Sequence, residues 1–371
     1  MSRRLRIAYF AHSLRSDWNN GNAHFLRGLL REMGALGHDV IAFEPECGWS
    51  ITNLLQEPCG SASIAQFESV YPDLHVRAYT AEASGESETW RLLLSDVDIV
   101  ILHEWNPPSL ANALLELRNE QRYRMLFHDT HHRASSSPEQ IGLLGIERFD
   151  GVLVFGEVLR KIYRDRFGMS RVWTLHEAAD TSVFKPRRSE IKRHDVVWIG
   201  NWGDDERSQE IHEFLLHPAS TMRNRTFTIY GVRYPAEACL ALRAAGVRYG
   251  GYLPNLQAPC RYSETKVTVH VPRQQYALQM PGIPTIRVFE ALACGMPLVS
   301  APWLDAEGLF RKGDFMTVSS CGEMRKALAR LLDAPSEAAE LGGRGLEAVL
   351  QRHTCAHRAA QLSEICEEVL R

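Results

Sequence analysis

The residues of this chain best suited to chemistry lie in one stretch, residues 281–300, which reads PGIPTIRVFEALACGMPLVS. A loop rich in proline and glycine leads into a predicted short helix, so the backbone N–H groups of Thr285, Ile286 and Arg287 would lie at a helix start. Such an end favours an anion, and a guanidinium group binds pairs of phosphate oxygens. The segment therefore predicts a diphosphate site.

Glu290 follows Arg287 in the same predicted helix, among the apolar residues of VFEALACG. A buried carboxylate without a partner is costly, so this residue needs one. The hydroxyls of a ribose are the partner that we favour, and an arginine within the fold is the alternative. A diphosphate attached to a ribose fits both residues, which makes a nucleotide-sugar site the hypothesis to test.

Other residues of the second half are candidates for the same site. Arg207, Lys266 and Arg273 lie near the ends of predicted strands and are candidate phosphate ligands. A solvated surface charge is the alternative for each, and for Arg207 and Lys266 the two interpretations are evenly balanced. Gly200 and Asn201 end another predicted strand, where a small residue lets the backbone approach a phosphate.

The first half offers a long loop, HSLRSDWNNGNAH, at 12–24, between a predicted strand and its helix. It contains no G-x-G-x-x-G, which argues against a dinucleotide-binding unit. Gly21 and Asn22 would present backbone N–H groups to a phosphate, and a plain helix N-cap is the competing interpretation for Asn22.

Histidines at the ends of predicted strands are candidate catalytic residues. His12 follows the first strand, and His128 and Asp129 open the sequence HDTHH at the end of another. Strand ends suit a general base, whereas structural histidines bonded to the backbone are the alternative. We do not expect HDTHH to bind a metal, because adjacent residues on an extended chain point apart.

The elements that must position these residues alternate along the chain. Strands are predicted at 5–11, 39–43, 97–102, 123–128, 151–155, 171–175, 194–199, 226–230, 266–271, 297–300 and 315–319. Apolar strands separated by helices imply parallel sheets covered on both faces. A polar, basic stretch at 178–193 reads as a linker, so we predict an α/β chain of two doubly wound, Rossmann-like domains, 1–177 and 187–353, with ligands at the strand ends in an interdomain cleft.

Composition excludes several other classes. A formal net charge of −3 over 371 residues gives no sign of a nucleic-acid partner. No apolar run approaches membrane-spanning length, and the start of the chain is a poor signal peptide. The 8 cysteines form no C-x-x-C pair, so we expect reduced thiols, no metal and a cytoplasmic location.

Several motifs carry a family resemblance. They are FDGVLVFGEVLRKIY (149–163), HEAADTSVFKP (176–186), IGNWGDD (199–205), IYGVR (229–233), GYLPN (251–255), KVTVHVPR (266–273) and TIRVFEALACGMPLVS (285–300). In this order they resemble the GT-B glycosyltransferases, most closely the group 1 transferases related to spore-coat-maturation glycosyltransferases. The stretch 285–300 is the specific part of the match.

The resemblance implies a hexosyltransferase-type enzyme. A nucleotide-sugar donor would be held mainly by the second domain and an unidentified acceptor (a glycan, a small molecule or a protein) by the first. It also implies that a last helix, at about 354–371, crosses back to the first domain. No metal and no cofactor would be needed, in keeping with the absence of a D-x-D motif between strands. The backbone of Leu253 would pair with the edge of the base, unless GYLPN is an ordinary loop.

One position departs from the family pattern. Many retaining members carry two acids in an E-x7-E arrangement, and here Gly282 stands where the first acid would be, eight residues before Glu290. The resemblance implies retention of configuration, in which the leaving phosphate deprotonates the acceptor. Inversion would instead need a base such as His12, His24, His128 or Asp129.

Two other functions fit the same fold. A nucleotide-sugar 2-epimerase would need several acids at the site, where the motif offers mainly Glu290. A non-catalytic module that binds a nucleotide sugar or a glycan is the second alternative, favoured by the glycine at position 282.

Overall fold

The structure, a computed structural model, describes residues 3–80, 82–189, 191–203 and 205–371. Two compact units divide the chain. One consists of Met1–Glu177 and Cys355–Arg371, and the other of Ala178–Thr354. Both are layered α/β units built on a parallel sheet.

The first unit contains a seven-stranded parallel sheet in its described residues, in the order β3-β2-β1-β4-β5-β6-β7. Its strands are β1 (Arg6–Phe10), β2 (Asp39–Pro45), β3 (Val76–Tyr79), β4 (Ile99–His103), β5 (Arg124–Asp129), β6 (Gly151–Val154) and β7 (Val172–Thr174). β1 and β4 are neighbours, with Ile7 beside Ile99, and nearly all of their residues are buried. A parallel strand covered by helices on both faces is apolar on both faces, as the sequence indicates.

The helices of this unit are α1 (Ala23–Ala35), α2 (Trp49–Leu54), α3 (Gly60–Val70), α4 (Ser87–Leu93), α5 (Pro108–Gln121), α6 (Arg133–Ser136), α7 (Pro138–Gly142), α8 (Glu157–Asp165) and the last helix of the chain, α16 (Cys355–Leu370). α16 packs against α1. The Cys355 thiol lies 3.7 Å from the carbonyl oxygen of Phe25, and the Ser363 hydroxyl 2.8 Å from Nε2 of His38.

The second unit contains a six-stranded parallel sheet in its described part, in the order β10-β9-β8-β11-β12-β13. The strands are β8 (His194–Ile199), β9 (Phe227–Tyr230), β10 (Arg248–Tyr249), β11 (Thr265–His270), β12 (Leu298–Ser300) and β13 (Met316–Thr317). The helices are α9 (Ser208–Ile211), α10 (His217–Thr221), α11 (Ala236–Ala245), α12 (Ala258–Ser263), α13 (Ile286–Ala293), α14 (Cys321–Asp333) and α15 (Pro335–Arg352), with π-helical turns at His212–Leu216 and Gln275–Gln279. The predicted pair of doubly wound parallel sheets is confirmed.

Each sheet has one place where the order of its strands reverses. It lies between β1 and β4 in the first unit and between β8 and β11 in the second. Ligands of open parallel sheets bind beside the carboxyl ends of the strands at such a place. No helix in the described ranges combines the length and the apolar character needed to cross a membrane.

α13 is held in place by α15, and the close approach depends on glycine. A Cβ on Gly342 would lie 2.2 Å from the carbonyl oxygen of Gly295, whereas a Cβ on the next residue, Gly343, would have no described atom within 4 Å. Gly342 is buried and Gly343 exposed. The two neighbouring helical glycines therefore have opposite steric surroundings.

We expect Gly342→Ala to lower the free energy of unfolding by about 1–3 kcal/mol, because backbone atoms must move to admit the methyl group. Gly343→Ala is the matched control and should raise it by about 0.5–1 kcal/mol, because alanine loses less entropy in a helix. Urea unfolding of both variants measures the difference. Equal stabilities would contradict this account of the contact between α13 and α15.

Candidate functional site

The carboxyl ends of β8 and β11 bring together the loops that carry most of the predicted phosphate ligands. Gly200 and Asn201 follow β8, and Arg273 follows β11. Because β8 and β11 are parallel neighbours, both loops leave the same edge of the sheet. The reversal of strand order falls between them, where a ligand site is expected.

Arg207 joins these two strand ends. Its guanidinium donates hydrogen bonds to the carbonyl oxygen of Asn201 at 2.9 Å, to Oδ1 of the same residue, and to the carbonyl oxygen of Val271 at 3.3 Å. The group also lies 5.1 Å from the centre of the Trp198 ring. Arg207 is therefore fixed in orientation by the backbone of both loops.

The charges of three arginines act on one another at this edge. Burial, together with the nearby positive charges of Arg273 and Arg287, lowers the pKa of Arg207 to about 9. An anion among these groups would relieve their repulsion and favour the charged form of each. The structure thus brings together three of the four predicted cationic ligands.

The fourth, Lys266, lies elsewhere, which corrects its prediction as a phosphate ligand. It is the second residue of β11, and its ammonium group pairs with Oδ1 of Asp195, near the start of β8, at 2.7 Å. Both residues are therefore at the amino ends of their strands, on the sheet edge opposite to Arg207. Lys266 neutralises the buried carboxylate of Asp195 there.

α13 begins at this site with its backbone donors directed to the loop that precedes it. Thr285 is its N-cap in extended conformation, and its side chain makes no capping hydrogen bond. The Thr285 hydroxyl lies instead 2.9 Å from Nε2 of the buried His270, whose Nδ1 lies 2.9 Å from the hydroxyl of Ser300. The predicted N–H groups of Ile286 and Arg287 are thus at a helix N-terminus without a side-chain cap, as an anion site requires.

Glu290 is fully buried in α13 and has protein partners. Its Oε1 accepts a hydrogen bond from Nδ2 of Asn255 at 2.8 Å, and its Oε2 accepts one from Nη1 of Arg287 at 2.5 Å. The alternative of an arginine partner within the fold is therefore realised, and contact with a ribose stays a prediction. Asn255 ends the GYLPN loop, so half-buried Leu253 lies two residues from a contact with Glu290.

Sequence reasoning missed Glu206, which interlocks the two loops. Its carboxylate pairs with Arg273 and accepts a hydrogen bond from Nε2 of Gln275 at 3.1 Å, and its carbonyl oxygen accepts one from the amide of Gln274 at 2.8 Å. Arg273 is thus the second cation of the site, after Arg287, that is paired with a carboxylate of the protein. The position of Glu206 directly before Arg207 in the sequence was the signal that could have identified it.

Gly200 is a glycine for a reason that needs no ligand. A Cβ at this position would lie 2.7 Å from the Trp198 ring, and one on Gly231 would lie 2.0 Å from the Gly200 carbonyl oxygen. The same oxygen accepts a hydrogen bond from the hydroxyl of Tyr234 at 2.9 Å. Close packing of the loops after β8 and β9 accounts for both glycines, and the approach of a phosphate to Gly200 stays a prediction.

In the first unit, the predicted residues His12, Gly21 and Asn22 lie between β1 and α1, in the loop at the carboxyl end of β1. Asn22 does not cap α1 with its side chain. Its Nδ2 donates instead to the hydroxyl of Thr130 at 2.8 Å, just after β5. The N-cap interpretation of this side chain is therefore wrong, because the amide spans two strand ends.

His128 and Asp129 are buried on opposite faces of the sheet, as adjacent strand residues must be. Nδ1 of His128 lies 2.7 Å from the hydroxyl of Tyr9, and burial lowers its pKa to about 3. Asp129 accepts a hydrogen bond from the hydroxyl of Tyr163 at 2.7 Å, and burial raises its pKa. The two side chains point apart, as the sequence-based argument about adjacent residues on an extended chain expects. A catalytic role for either stays a prediction.

Trp105, just after the carboxyl end of β4, is more exposed than His128 and Asp129. Arg133, which sequence reasoning missed, lies 3.8 Å from the centre of the Trp105 ring and bonds to Oε2 of the buried Glu104 at 2.6 Å. Trp105 is 44% exposed, and its ring centre is 6.4 Å from that of His12. Burial and the charge of Arg133 lower the pKa of His12 to about 4, so its ring is neutral near pH 7.

Comparisons with known proteins place the site of the second unit, around Arg207 and α13, in a known type of domain. Residues 207–364 match the family model described as Glycosyl transferase-like, and this range contains Arg207, Arg273, Arg287 and Glu290. The chain therefore carries a glycosyl transferase-like domain. A comparison by sequence with curated proteins gives no match.

Solved structures with the same fold cover nearly the whole chain. A glycosyltransferase from Rickettsia africae ESF-5 has a TM-score of 0.69 at 9% identity, covering 100% of this chain and 99% of that one. An alpha-glucosyltransferase in complex with UDP and a 13-mer DNA has a TM-score of 0.70 at 14% identity, with 98% and 100% covered. Anabaena Alr3699/HepE in complex with UDP-glucose has a TM-score of 0.68 at 13% identity, with 98% and 100% covered.

The predicted fold of two parallel-sheet α/β units is confirmed by the fold shared with these structures. The predicted glycosyltransferase class is confirmed for residues 207–364 by the domain match. The exclusion of a nucleic-acid partner stays a prediction, because one similar structure is a complex with DNA. Within the part of the chain that the structure describes, no group of three or more His, Cys, Asp or Glu side chains is arranged to hold a metal ion. Independence of metals and cofactors and a cytoplasmic location stay predictions.

The pairing of Glu206 with Arg273 predicts that the carboxylate competes with a bound anion. We expect Glu206→Gln to tighten the binding of inorganic pyrophosphate by about three- to fivefold, the range that one partly exposed ion pair can supply. Titration calorimetry measures the dissociation constant, and exposed Glu237→Gln on α11 is the control. Unchanged or weaker binding in Glu206→Gln would show that the carboxylate does not compete.

The buried His270 predicts a pH dependence of stability. Burial lowers the pKa of His270 in the folded chain to about 3. In the unfolded chain the residue takes up a proton as the pH falls below about 6.5, its ordinary pKa, whereas in the folded chain it stays neutral. The stabilisation that follows from this difference is fully present above pH 6.5 and is lost as the pH falls. Between pH 7.5 and 5.5 this loss is about 1.4 kcal/mol, and His270→Gln should lack it.

Urea unfolding at pH 7.5, 6.5 and 5.5 tests the effect, with the exposed His217→Gln as the reference variant. The wild type should lose more unfolding free energy than His270→Gln over this interval. Parallel curves for the two proteins would mean that His270 is protonated in the folded state as readily as in the unfolded one.

Proposed function

We propose that the chain transfers a sugar from a nucleoside diphosphate sugar to an acceptor, without a metal ion and with retention of configuration. The observation that carries the proposal is the group of Arg207, Arg273 and Arg287 at the start of α13, where the strand order of the second sheet reverses. It lies within the glycosyl transferase-like domain. A diphosphate is the anion that best matches three guanidinium groups within electrostatic reach of one another and a helix N-terminus.

A uridine nucleotide is the first donor to test. HepE is described in complex with UDP-glucose, and the alpha-glucosyltransferase in complex with UDP. In the proposed complex, the ribose hydroxyls donate hydrogen bonds to Glu290, and the backbone of Leu253 pairs with the base. The bond between Asn255 and Glu290 supports this arrangement, because it joins the loop of Leu253 to the carboxylate.

Sugar transfer breaks the bond between the anomeric carbon and the phosphate oxygen, and negative charge develops on the diphosphate. Fixed donors aimed at that charge lower the barrier. Arg207 is oriented by Asn201 and Val271, so it needs little rearrangement to act. In metal-dependent catalysis a divalent cation supplies this stabilisation, and here the three guanidinium groups are proposed to supply it.

In the retaining mechanism that we propose, the acceptor oxygen forms its bond to the anomeric carbon on the side from which the diphosphate leaves. The acceptor proton passes to the departing phosphate oxygen, so no protein base is required. The burial of His128 and Asp129 in hydrogen bonds to tyrosines supports this choice. Inversion would assign the proton to another group such as His12.

The first unit is the proposed acceptor domain. The partly exposed Trp105, stacked with Arg133 and close to His12, offers a flat apolar face beside polar groups. Such a face suits a sugar ring or an aromatic ring. The net charge of −3 does not favour DNA, but an oligonucleotide belongs in the acceptor panel because a similar structure contains one.

The experiment begins with a thermal-shift panel of nucleoside diphosphates and nucleotide sugars. A ligand at one hundred times its dissociation constant adds about 2.7 kcal/mol of stability. Incubation of the best donor with acceptors then tests transfer, and NMR of the product gives its anomeric configuration. The rate should not change with EDTA. Interconversion of the donor sugar without acceptor would indicate an epimerase, and binding without transfer or hydrolysis a non-catalytic module.

We expect Arg287→Gln to weaken the binding of UDP by at least about tenfold, because it removes one charged donor to the diphosphate. Arg273→Gln should act in the same direction, and its partner Glu206 is half-buried, so this variant leaves no fully buried carboxylate alone. Titration calorimetry measures both, with the exposed Arg243→Gln on α11 as control. Wild-type affinity in both site variants would refute the diphosphate site.

A further inference from the structure

Glu307 is an acidic residue that neither the sequence motifs nor the proposed chemistry uses. It is half-buried in the loop between β12 and β13. This loop leaves the carboxyl end of β12, the parallel neighbour of β11. Glu307 therefore belongs to the same edge of the second sheet as the loop that leads into α13.

The side chain of Glu307 fills the space beside Gly282. A Cβ on Gly282 would lie 2.8 Å from Cγ of Glu307 and 3.0 Å from its Oε1. Gly282 has a φ of +100°, a conformation that favours glycine. The absence of a side chain at position 282 thus makes room for a carboxylate that comes from another loop.

Hydrogen bonds hold the two loops together. The amide of Gly282 donates to the carbonyl oxygen of Leu304 at 2.9 Å. The carboxylate of Asp305 accepts hydrogen bonds from the amides of Leu309, at 3.0 Å, and Phe310, at 2.8 Å. Trp303 and Phe310 on either side are buried. Glu307 is therefore presented by an anchored turn.

The chemistry of this position is specific. Gly282 lies three residues before Thr285, the N-cap of α13, so the Glu307 carboxylate lies against the segment that leads into the proposed diphosphate end. A carboxylate repels a phosphate, and it accepts hydrogen bonds without donating any when it is ionised. The ligand group that suits it is a neutral one rich in hydroxyl donors, and the sugar carried by the diphosphate is such a group.

We propose that Glu307 accepts hydrogen bonds from hydroxyls of the donor sugar and so determines which sugar the enzyme transfers. This inference rests on the proposed function, because it assumes a nucleotide sugar with its diphosphate at α13. The group that Glu307 contacts is the sugar alone. Glu307 distinguishes a nucleotide sugar from the bare nucleoside diphosphate, whereas Arg207, Arg273 and Arg287 bind both.

The test compares UDP with UDP-glucose, or with the corresponding pair that gives the largest shift in the thermal panel. Titration calorimetry is run on the wild-type chain of 371 residues, Glu307→Ala, Glu307→Gln and the exposed control Glu340→Gln on α15. We expect Glu307→Ala to bind UDP within about twofold of wild type and UDP-glucose at least about tenfold more weakly. A loss of one charged hydrogen bond has this size. Melting temperatures show that the variants are folded, and Glu307→Gln replaces Glu307→Ala if the latter is not.

The outcomes separate this inference from the proposed function. Equal affinities of wild type and variant for UDP-glucose, or equal losses for UDP and UDP-glucose, overturn the role of Glu307 but leave the diphosphate site intact. A wild-type chain that binds no nucleoside diphosphate or nucleotide sugar of the panel overturns both. A selective loss for the nucleotide sugar in the Glu307 variant, absent in Glu340→Gln, supports the inference.

Discussion

The buried carboxylate of Glu290 is the group on which the geometry of the second site depends. An ionised carboxylate without partners inside a protein is unstable, and removing one partner of a buried pair is strongly destabilising. Glu290 meets this demand with Arg287 from its own helix and Asn255 from the loop after β10. The bonds fix the direction of Arg287 and attach the GYLPN loop to α13. A helix start, a cation and a loop are thus held in one arrangement by one buried charge.

Buried charged residues also hold a loop of the first unit in place. Glu44 is almost fully buried in β2 and accepts a hydrogen bond from the amide of Leu14 at 2.6 Å. Arg27, fully buried in α1, donates to the carbonyl oxygen of Leu14 at 2.6 Å. The loop after β1 is therefore held from both sides by charged groups with backbone partners. Such loops have few apolar residues to pack, so hydrogen bonds to buried charges give them a single conformation.

The elements and residues that depend on a local sequence pattern were predicted correctly. Apolar runs located every central strand, and β8 agrees with its predicted bounds, 194–199. β3 and β10 were missed because they are short edge strands with exposed residues, which leave no apolar run. Arg287 and Glu290 were found because one helix carries both. Lys266 was misplaced because it opens its predicted strand, 266–271, whereas ligands of a parallel sheet bind beside the carboxyl ends of the strands. Glu206 and Glu307 come from loops whose approach depends on strand order.

The second site therefore contains its own counter-charges, and binding there is an exchange of partners. Arg273 is paired with Glu206, and Arg287 with Glu290. Without these carboxylates, three arginines held close together would repel one another and destabilise the fold, since like charges in a poorly solvated place cannot be screened by water. With them, a diphosphate gains only the difference between its own contacts and those it replaces. The half-buried Glu206 can turn towards solvent when a ligand replaces it at Arg273. Glu290 is fully buried and has no contact with solvent, so the loss of Arg287 as a partner would leave its charge unpaired. The exchange should therefore occur first at Arg273, with Arg287 keeping Glu290 as it binds the ligand through its remaining donors.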